Sequence, residues 1–281
     1  MGNRVQLNDS GITGACCCQT RTVMVAFAPR TPFVGAFAAE AQGVRLLLNH
    51  MSLEHILNTS RAILFEHRDE PLFTYFGGGS GFLFTWQGRT YVVTAKHVSR
   101  QGRDDQIRVS VDDDTPAFLR FDLAFSPEGD DQDWKDLTFF RVDSRPDPAA
   151  MQRLAFPLGI AGLRAATEYY SSGQPLWISG YPGAERSIDY DSGHINLVRC
   201  YLRGFYDEPD DAAIGKHRIK IDAQLDSFGG LSGSPVFVEL SPDSILWAGL
   251  LIQGSASSGL AHFLDTPTFA TLLTQLPQAA A

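Results

Sequence analysis

Apolar residues along this 281-residue chain come in short blocks, without the sustained three-and-four spacing of long helices. Residues 62–66, 81–86, 91–95, 106–111, 117–125 and 137–142 form one series of β-rich blocks. Residues 176–180, 195–205, 217–225, 235–239 and 246–254 form a second, and a Pro- and Ala-rich stretch near 146–157 separates the two. Strands this short, punctuated by turn formers and not alternating with helical runs, predict antiparallel sheets instead of βαβ units. The pattern reads as all-β, with two antiparallel six-stranded β-barrels, one over residues 51–150 and one over 151–281. Two helices accompany them. One begins near Ser52 with Leu53, Ile56 and Leu57 on one face; the other is short and C-terminal, over 267–276, with Phe269, Leu272, Leu273 and Leu276 at helical spacing. Residues 1–50 follow neither period and read as a poorly ordered leader, with Met51 as an alternative start.

Composition agrees with a folded chain: 44% of residues are hydrophobic and 20% charged, and 26 Gly and 15 Pro supply turns. A net charge of -9, with no run of Lys and Arg, argues against a nucleic-acid partner. Three of the four cysteines are the consecutive Cys16, Cys17 and Cys18, which leaves Cys200 alone in the folded part. That is no disulfide framework, so a reducing, cytoplasmic setting fits better than secretion. The apolar stretch 23–28 ahead of Ala36-Phe37-Ala38 has some signal-peptide character, but Pro29-Arg30-Thr31-Pro32 interrupts it. No apolar run approaches the ~20 residues that span a bilayer, and no membrane partner is expected.

Three segments carry candidate chemistry. In Phe228-Gly229-Gly230-Leu231-Ser232-Gly233-Ser234-Pro235, glycines surround two serines just before an apolar strand. A hydroxyl is a weak nucleophile unless a tight turn presents it to a base, with amide donors aimed at the developing oxyanion. In Thr90-Tyr91-Val92-Val93-Thr94-Ala95-Lys96-His97, a β-rich run ends at an imidazole, which can take a hydroxyl proton near neutral pH and return it to a leaving amine. Gly77-Gly78-Gly79-Ser80-Gly81 precedes it and can bring backbone close to a substrate. The third element is a carboxylate at the mouth of an apolar strand, able to hold the imidazole tautomer and stabilise its cation. Asp136 and Asp122 both have this setting; the longer, more apolar strand after Asp136 favours it.

In the order His97, Asp136, Ser232, these segments resemble the catalytic motifs of the chymotrypsin-like (trypsin-like) serine peptidases, especially the bacterial and intracellular group. Thr94-Ala95-Lys96-His97 resembles the family's Thr-Ala-Ala-His, and Asp136-Leu137-Thr138 its Asp-Ile/Leu-Ala. Gly230-Leu231-Ser232-Gly233-Ser234-Pro235 resembles Gly-Asp/Asn-Ser-Gly-Gly/Ser-Pro. The resemblance implies that Ser232, not Ser234, is the nucleophile and that the amides of Gly230 and Ser232 form the oxyanion hole. It implies that Gln253 and Gly254, in Gly249-Leu250-Leu251-Ile252-Gln253-Gly254, lie on the strand that pairs with substrate. Tyr181-Pro182-Gly183 resembles a recurring turn of the second barrel. The implied activity is hydrolysis of protein or peptide substrates without a cofactor or metal. The alternative is the same fold used as an idle or latent binding module, with a regulatory protein partner in the latent case.

Two positions qualify the resemblance. Leu231 stands where animal digestive relatives have an Asp that pairs with a newly cut N-terminus, so activation by that route is not expected. Asp226 sits near the base-of-pocket position that gives trypsin its taste for Lys and Arg, and a buried carboxylate there would favour a cationic side chain. Other motifs fall away. Gly230-Leu231-Ser232-Gly233-Ser234 lacks the last Gly of the α/β-hydrolase elbow and precedes a strand-like run. Gly77-Gly78-Gly79-Ser80-Gly81 lacks the Gly-Lys-Ser/Thr ending of a phosphate loop. The acidic groups 112–114 and 130–133 lack EF-hand spacing.

Overall fold

Hydrophobic alternation and β-branched content become ladders wherever one face of each strand can be buried. The computed structural model describes residues 56–67, 75–111, 117–127, 135–143, 151, 153–159, 166–189, 194–210, 213–241 and 244–276. The leader, the Cys16–Cys18 triplet, the acidic groups 112–114 and 130–133, and Ser52 and Leu53 lie outside the described residues.

The first half contains β1 (Ser60–Glu66), β2 (Tyr75–Trp86), β3 (Arg89–Ala95), a one-turn helix α1 (Lys96–Ser99), β4 (Ile107–Val109), β5 (Phe121–Phe125), β6 (Leu137–Val142) and β7 (Phe156–Pro157). Its sheet runs β4-β1-β2-β3-β6-β5, with β7 added in parallel to β2. The two ends approach each other: Ser110 bridges Phe118, and the Leu119 amide donates to the Val109 carbonyl at 2.8 Å. Among the described residues no ladder joins β4 to β5, so this half is an open half-barrel where a closed one was expected. At three residues, β4 is too short to zip along its neighbour.

The second half contains β8 (Pro175–Gly180), β9 (Ser187–Asp189), β10 (His194–Asn196), β11 (Cys200–Pro209), β12 (Lys216–Ile221), β13 (Pro235–Ser241), β14 (Ser244–Ser255) and β15 (Leu260–Asp265). Six of these close into a barrel in the order β11-β12-β15-β14-β13-β8, and β9 with β10 form a separate hairpin. The C-terminal helix α2 (Thr266–Leu273) follows directly. Its first turn is capped by the Asp265 carboxylate, which accepts from the Thr268 amide at 2.9 Å, and it carries a Pro in that turn. The expected strand 195–205 is two elements, β10 and β11. Cys200 is buried and not disulfide-bonded. Among the described residues no helix is long and apolar enough to cross a membrane.

The two halves share a core. Phe82, Phe84 and Phe139 of the first pack with Phe237, Trp247 and Leu250 of the second and with Phe269 and Leu272 of α2. Phe82 and Trp247 have ring centroids 4.9 Å apart, and Phe269 meets Trp247 edge-on at 4.8 Å and Phe139 at 5.8 Å. Such aromatic pairs add about 0.5–1.5 kcal/mol each beyond their area burial. The Ser60–Ser179 contact in the seam is satisfied: Ser60 Oγ is 2.8 Å from Ser179 Oγ, which donates to the Leu57 carbonyl at 2.6 Å.

Candidate active site

Register places the first two side chains. In the ladder between β3 and β6, Ala95 pairs with Leu137, so the residues just beyond those strand ends fall beside each other. The chain turns into α1 at Lys96, whose amide donates to the Asp136 carbonyl at 3.0 Å. The next amide, that of His97, donates to Asp136 Oδ1 at 3.0 Å, and His97 Nδ1 lies 2.6 Å from Asp136 Oδ2. One carboxylate thus fixes both the backbone and the ring of His97. The imidazole is about half exposed and the carboxylate less so, at 48% and 26%. Asp122, the other candidate, sits on β5 and accepts from Arg141 Nε at 2.7 Å.

Ser232 comes from the other half, on the turn that leads into β13. Leu231 donates to the Phe228 carbonyl at 3.1 Å, Ser234 to that of Leu231 at 3.0 Å, and Gly233 to that of Leu251 at 2.8 Å. Gly230 and Gly233 have φ of +87° and +90°, and a Cβ on either would overlap packed backbone. Leu231 is fully buried in the barrel core, in one cluster with Ile178 and Val236. Burial therefore anchors this turn where the digestive relatives use an ion pair. Among the described residues the Gly230 and Ser232 amides donate to no group, while the carbonyls flanking them are all engaged.

His97, Asp136 and Ser232 line one cleft of about 510 Å³, together with Asp226, Phe228, Gln253 and Gly254. The Ser232 hydroxyl donates to the Ile252 carbonyl at 3.3 Å and not to His97. Apo hydroxyl–imidazole geometry is often loose and tightens only when substrate is bound. Ser234 is fully buried and lies outside the cleft lining. Asp226 lines the cleft but is exposed, unlike the buried carboxylate expected at the base of a cation pocket. Phe228 packs so tightly on Gly254 that a Cβ there would overlap its ring, so the recess between these two segments is narrow. Gln253 is exposed, with Lys216 Nζ donating to its Oε1 at 3.4 Å.

Ser80 is the residue that motif reading passes over. It is fully buried, its amide donates to the Ser232 carbonyl at 3.0 Å, and its hydroxyl donates to the Gly230 carbonyl at 2.8 Å. The same hydroxyl accepts from the Tyr181 amide at 2.8 Å, and the Ser80 carbonyl accepts from Thr94 Oγ1 at 2.7 Å. The available signal is a single hydroxyl embedded in a glycine run, at a place where close backbone approach is already expected.

The family model of the trypsin-like peptidase domain matches residues 79–240, a span from β2 through β13 that holds all three side chains. No curated protein matches the chain at a significant level. Among solved structures, the chain is similar to a thermostable serine protease, AL20, from an extremophilic microorganism, with 13% identity and a TM-score of 0.50. The match covers 79% of this chain and 100% of that one. It is likewise similar to human heparin binding protein, at 15% identity and a TM-score of 0.51, covering 81% and 96%. These likenesses are of fold. The family match, which takes in more than half of the sequence, carries the assignment: this chain belongs to the trypsin-like peptidase family.

Proposed function

We propose that this protein is a serine endopeptidase in which Ser232 is the nucleophile, His97 the general base and acid, and Asp136 the group that orients the ring. One observation above others supports the reading: a 2.6 Å His97–Asp136 bond in the same cleft as Ser232, beside two amides that donate to nothing else among the described residues. Ser232 Oγ attacks the scissile carbonyl while His97 Nε2 takes its proton, and the Gly230 and Ser232 amides receive the oxyanion. The C–N bond then breaks as His97 protonates the departing amine. Water, deprotonated by His97, releases the acyl group and restores the hydroxyl.

For the residue before the bond we propose a preference for Lys or Arg through Asp226, of modest size because that carboxylate is solvated. Panels with Lys, Arg, Glu or Leu at this position test it; equal rates, or a preference unchanged in Asp226→Ala, would remove the idea. The buried Cys200, which is in no disulfide, fits a reducing, cytoplasmic setting, which localisation of the tagged protein tests: export from the cell would overturn it.

An idle binding module is the second reading, favoured by the Ser232–Ile252 bond that leaves His97 unengaged with the nucleophile. Human heparin binding protein has this fold and is named for binding. A polyanion is a poor partner for a chain of net charge -9. Against latency speak the bonds that Ser80, Gly183 and Leu251 already make to the Ser232 turn. Labelling by a fluorophosphonate, lost in Ser232→Ala, is expected for the peptidase. A wild-type protein that takes no label, under conditions where trypsin does, leaves the binding module standing.

A further inference from the structure

Among the described residues, no group answers the charge of Arg186, whose guanidinium is largely withdrawn from water. This residue follows the 3-10 turn Gly183–Glu185, which is docked on the Ser232 loop by a 2.7 Å bond from the Gly183 amide to the Gly229 carbonyl. From there the side chain crosses to β2, where Nη1 lies 2.8 Å from the point a Cβ on Gly78 would occupy. Gly78 is two residues from Ser80, whose amide bonds Ser232. Among the described residues the buried Nε and Nη2 have no hydrogen-bond partner, whereas Nη1 is not among the sealed atoms. Burial pushes the guanidinium pKa below its ordinary range, and no described carboxylate offsets the shift. A desolvated cation without an acceptor is among the costlier features a fold can hold. Glutamine or leucine would fill the space with less penalty.

Its position gives the charge a use. The recess between Asp226–Phe228 and Gln253–Gly254 lines the cleft together with Ser232, and on the peptidase reading it takes the residue before the scissile bond. The Gly78–Gly79 edge of β2 and the 183–186 turn abut the Ser232 loop outside that lining: the Gly183 amide bonds the Gly229 carbonyl at 2.7 Å, and a Cβ on Gly79 would lie 3.2 Å from the Ser232 carbonyl oxygen. We propose that Arg186 receives a carboxylate on the leaving-group side of the substrate. Its source is an acidic side chain within the first three residues after the bond, or the terminal carboxylate of a peptide cut close to its end. The inference rests on the peptidase reading and adds a substrate class to it: peptides acidic, or ending, just beyond the cut.

The test uses internally quenched peptides built on whichever residue before the bond is cleaved best. Glu is exchanged for Gln at each of the first three following positions, and a matched short pair ends in a free or an amidated terminus. Wild-type kcat/KM should favour Glu at one position, or the free terminus, by roughly tenfold or more. That ratio should fall toward one in both Arg186→Gln and Arg186→Leu. Both variants should melt no lower than wild type, since each removes a desolvated charge. Ratios near one throughout the wild-type set, or a preference that survives Arg186→Gln, overturn the proposal. Fluorophosphonate labelling tests the peptidase reading separately. If the wild type takes no label, affinities of the Glu and Gln peptides measured by fluorescence anisotropy decide the carboxylate site: tighter binding of Glu, lost in Arg186→Gln, supports it, and equal binding sinks it.

Discussion

The hydroxyl of Ser80 donates a 2.8 Å hydrogen bond to the carbonyl of Gly230, across the boundary between the half-barrel and the closed barrel. Its amide does the same for the Ser232 carbonyl. Ser80, which does not line the cleft, thus holds the Gly230 and Ser232 carbonyls, and with them the two amides proposed to receive the oxyanion. Ser80→Ala should lower kcat about 10- to 100-fold with KM little changed, because the donors are needed most in the transition state. It should cost about 1–3 kcal/mol of stability, since it leaves the Gly230 carbonyl and the Tyr181 amide short of a partner. Ser234→Ala is the control. Its buried Oγ has no hydrogen-bond partner among the described residues, so its loss should leave the melting temperature unchanged or higher. Equal kcat in Ser80→Ala and wild type would dismiss the positioning role.

Asp136→Asn keeps the shape of the site but changes which ring nitrogen of His97 carries the proton. A fall in kcat on the order of 10⁴ is expected from comparable triads. Asp122→Asn, which breaks a partly exposed pair with Arg141, should change stability by less than about 1 kcal/mol and leave turnover near wild type. Steady-state rates of the two variants, taken side by side, distinguish the two carboxylates.

Leu231 substitutes burial for an ion pair. Leu231→Ala should destabilise the protein by about 2–5 kcal/mol, as the barrel core beneath the turn empties. Leu231→Asp places an unpaired carboxylate in that core, and should abolish fluorophosphonate labelling even at temperatures where the fold survives. Labelling of the Leu231→Asp variant at the wild-type rate would mean that the bonds to Ser80, Gly183 and Leu251 hold the turn without Leu231.

Burial first, and the nearby Lys216 charge second, lower the pKa of His262 below its ordinary 6.5; Asp210, 3.2 Å from Nδ1, offsets part of this. Unfolding restores the ordinary value, so below pH 6.5 the unfolded chain takes a proton that the folded chain resists. The stability contribution is whole above 6.5 and declines as the pH falls from there toward the folded-state pKa. Melting temperatures at about pH 7.5 and 5.5 should differ less in His262→Gln than in wild type. An unchanged difference would place the acid sensitivity elsewhere.

Much of this architecture is legible in the residues themselves. The run 137–142 is delimited to the residue, because Leu137, Phe139 and Phe140 are apolar on both faces of a central strand. His97 and Ser232 stand out because each motif combines an abrupt strand boundary with glycines or small residues. Asp136 is preferred over Asp122 only by the length and apolarity of the strand that follows; its bond to His97 depends on the Ala95–Leu137 pairing, a long-range fact. β15 gives little signal because six residues with a His in the middle alternate weakly, although Ala261 and Phe263 face the core. Ser80 and Arg186 are hidden for one shared reason: what matters about them is what lies opposite, and that is set by packing. The openness of the first half is equally hidden, since whether a sheet closes depends on the length and stagger of its end strands.

The aromatic seam has a consequence for how the molecule can be divided. The sequence breaks near residue 150, yet Phe82, Phe139, Trp247 and Phe269 bury one another across that break. Expressed as severed fragments, each lobe would present a raw greasy wall to water, and neither is a self-sufficient unit. Proteolytic nicking between the lobes should leave a noncovalent heterodimer that still carries its chemistry, whereas either fragment alone should precipitate.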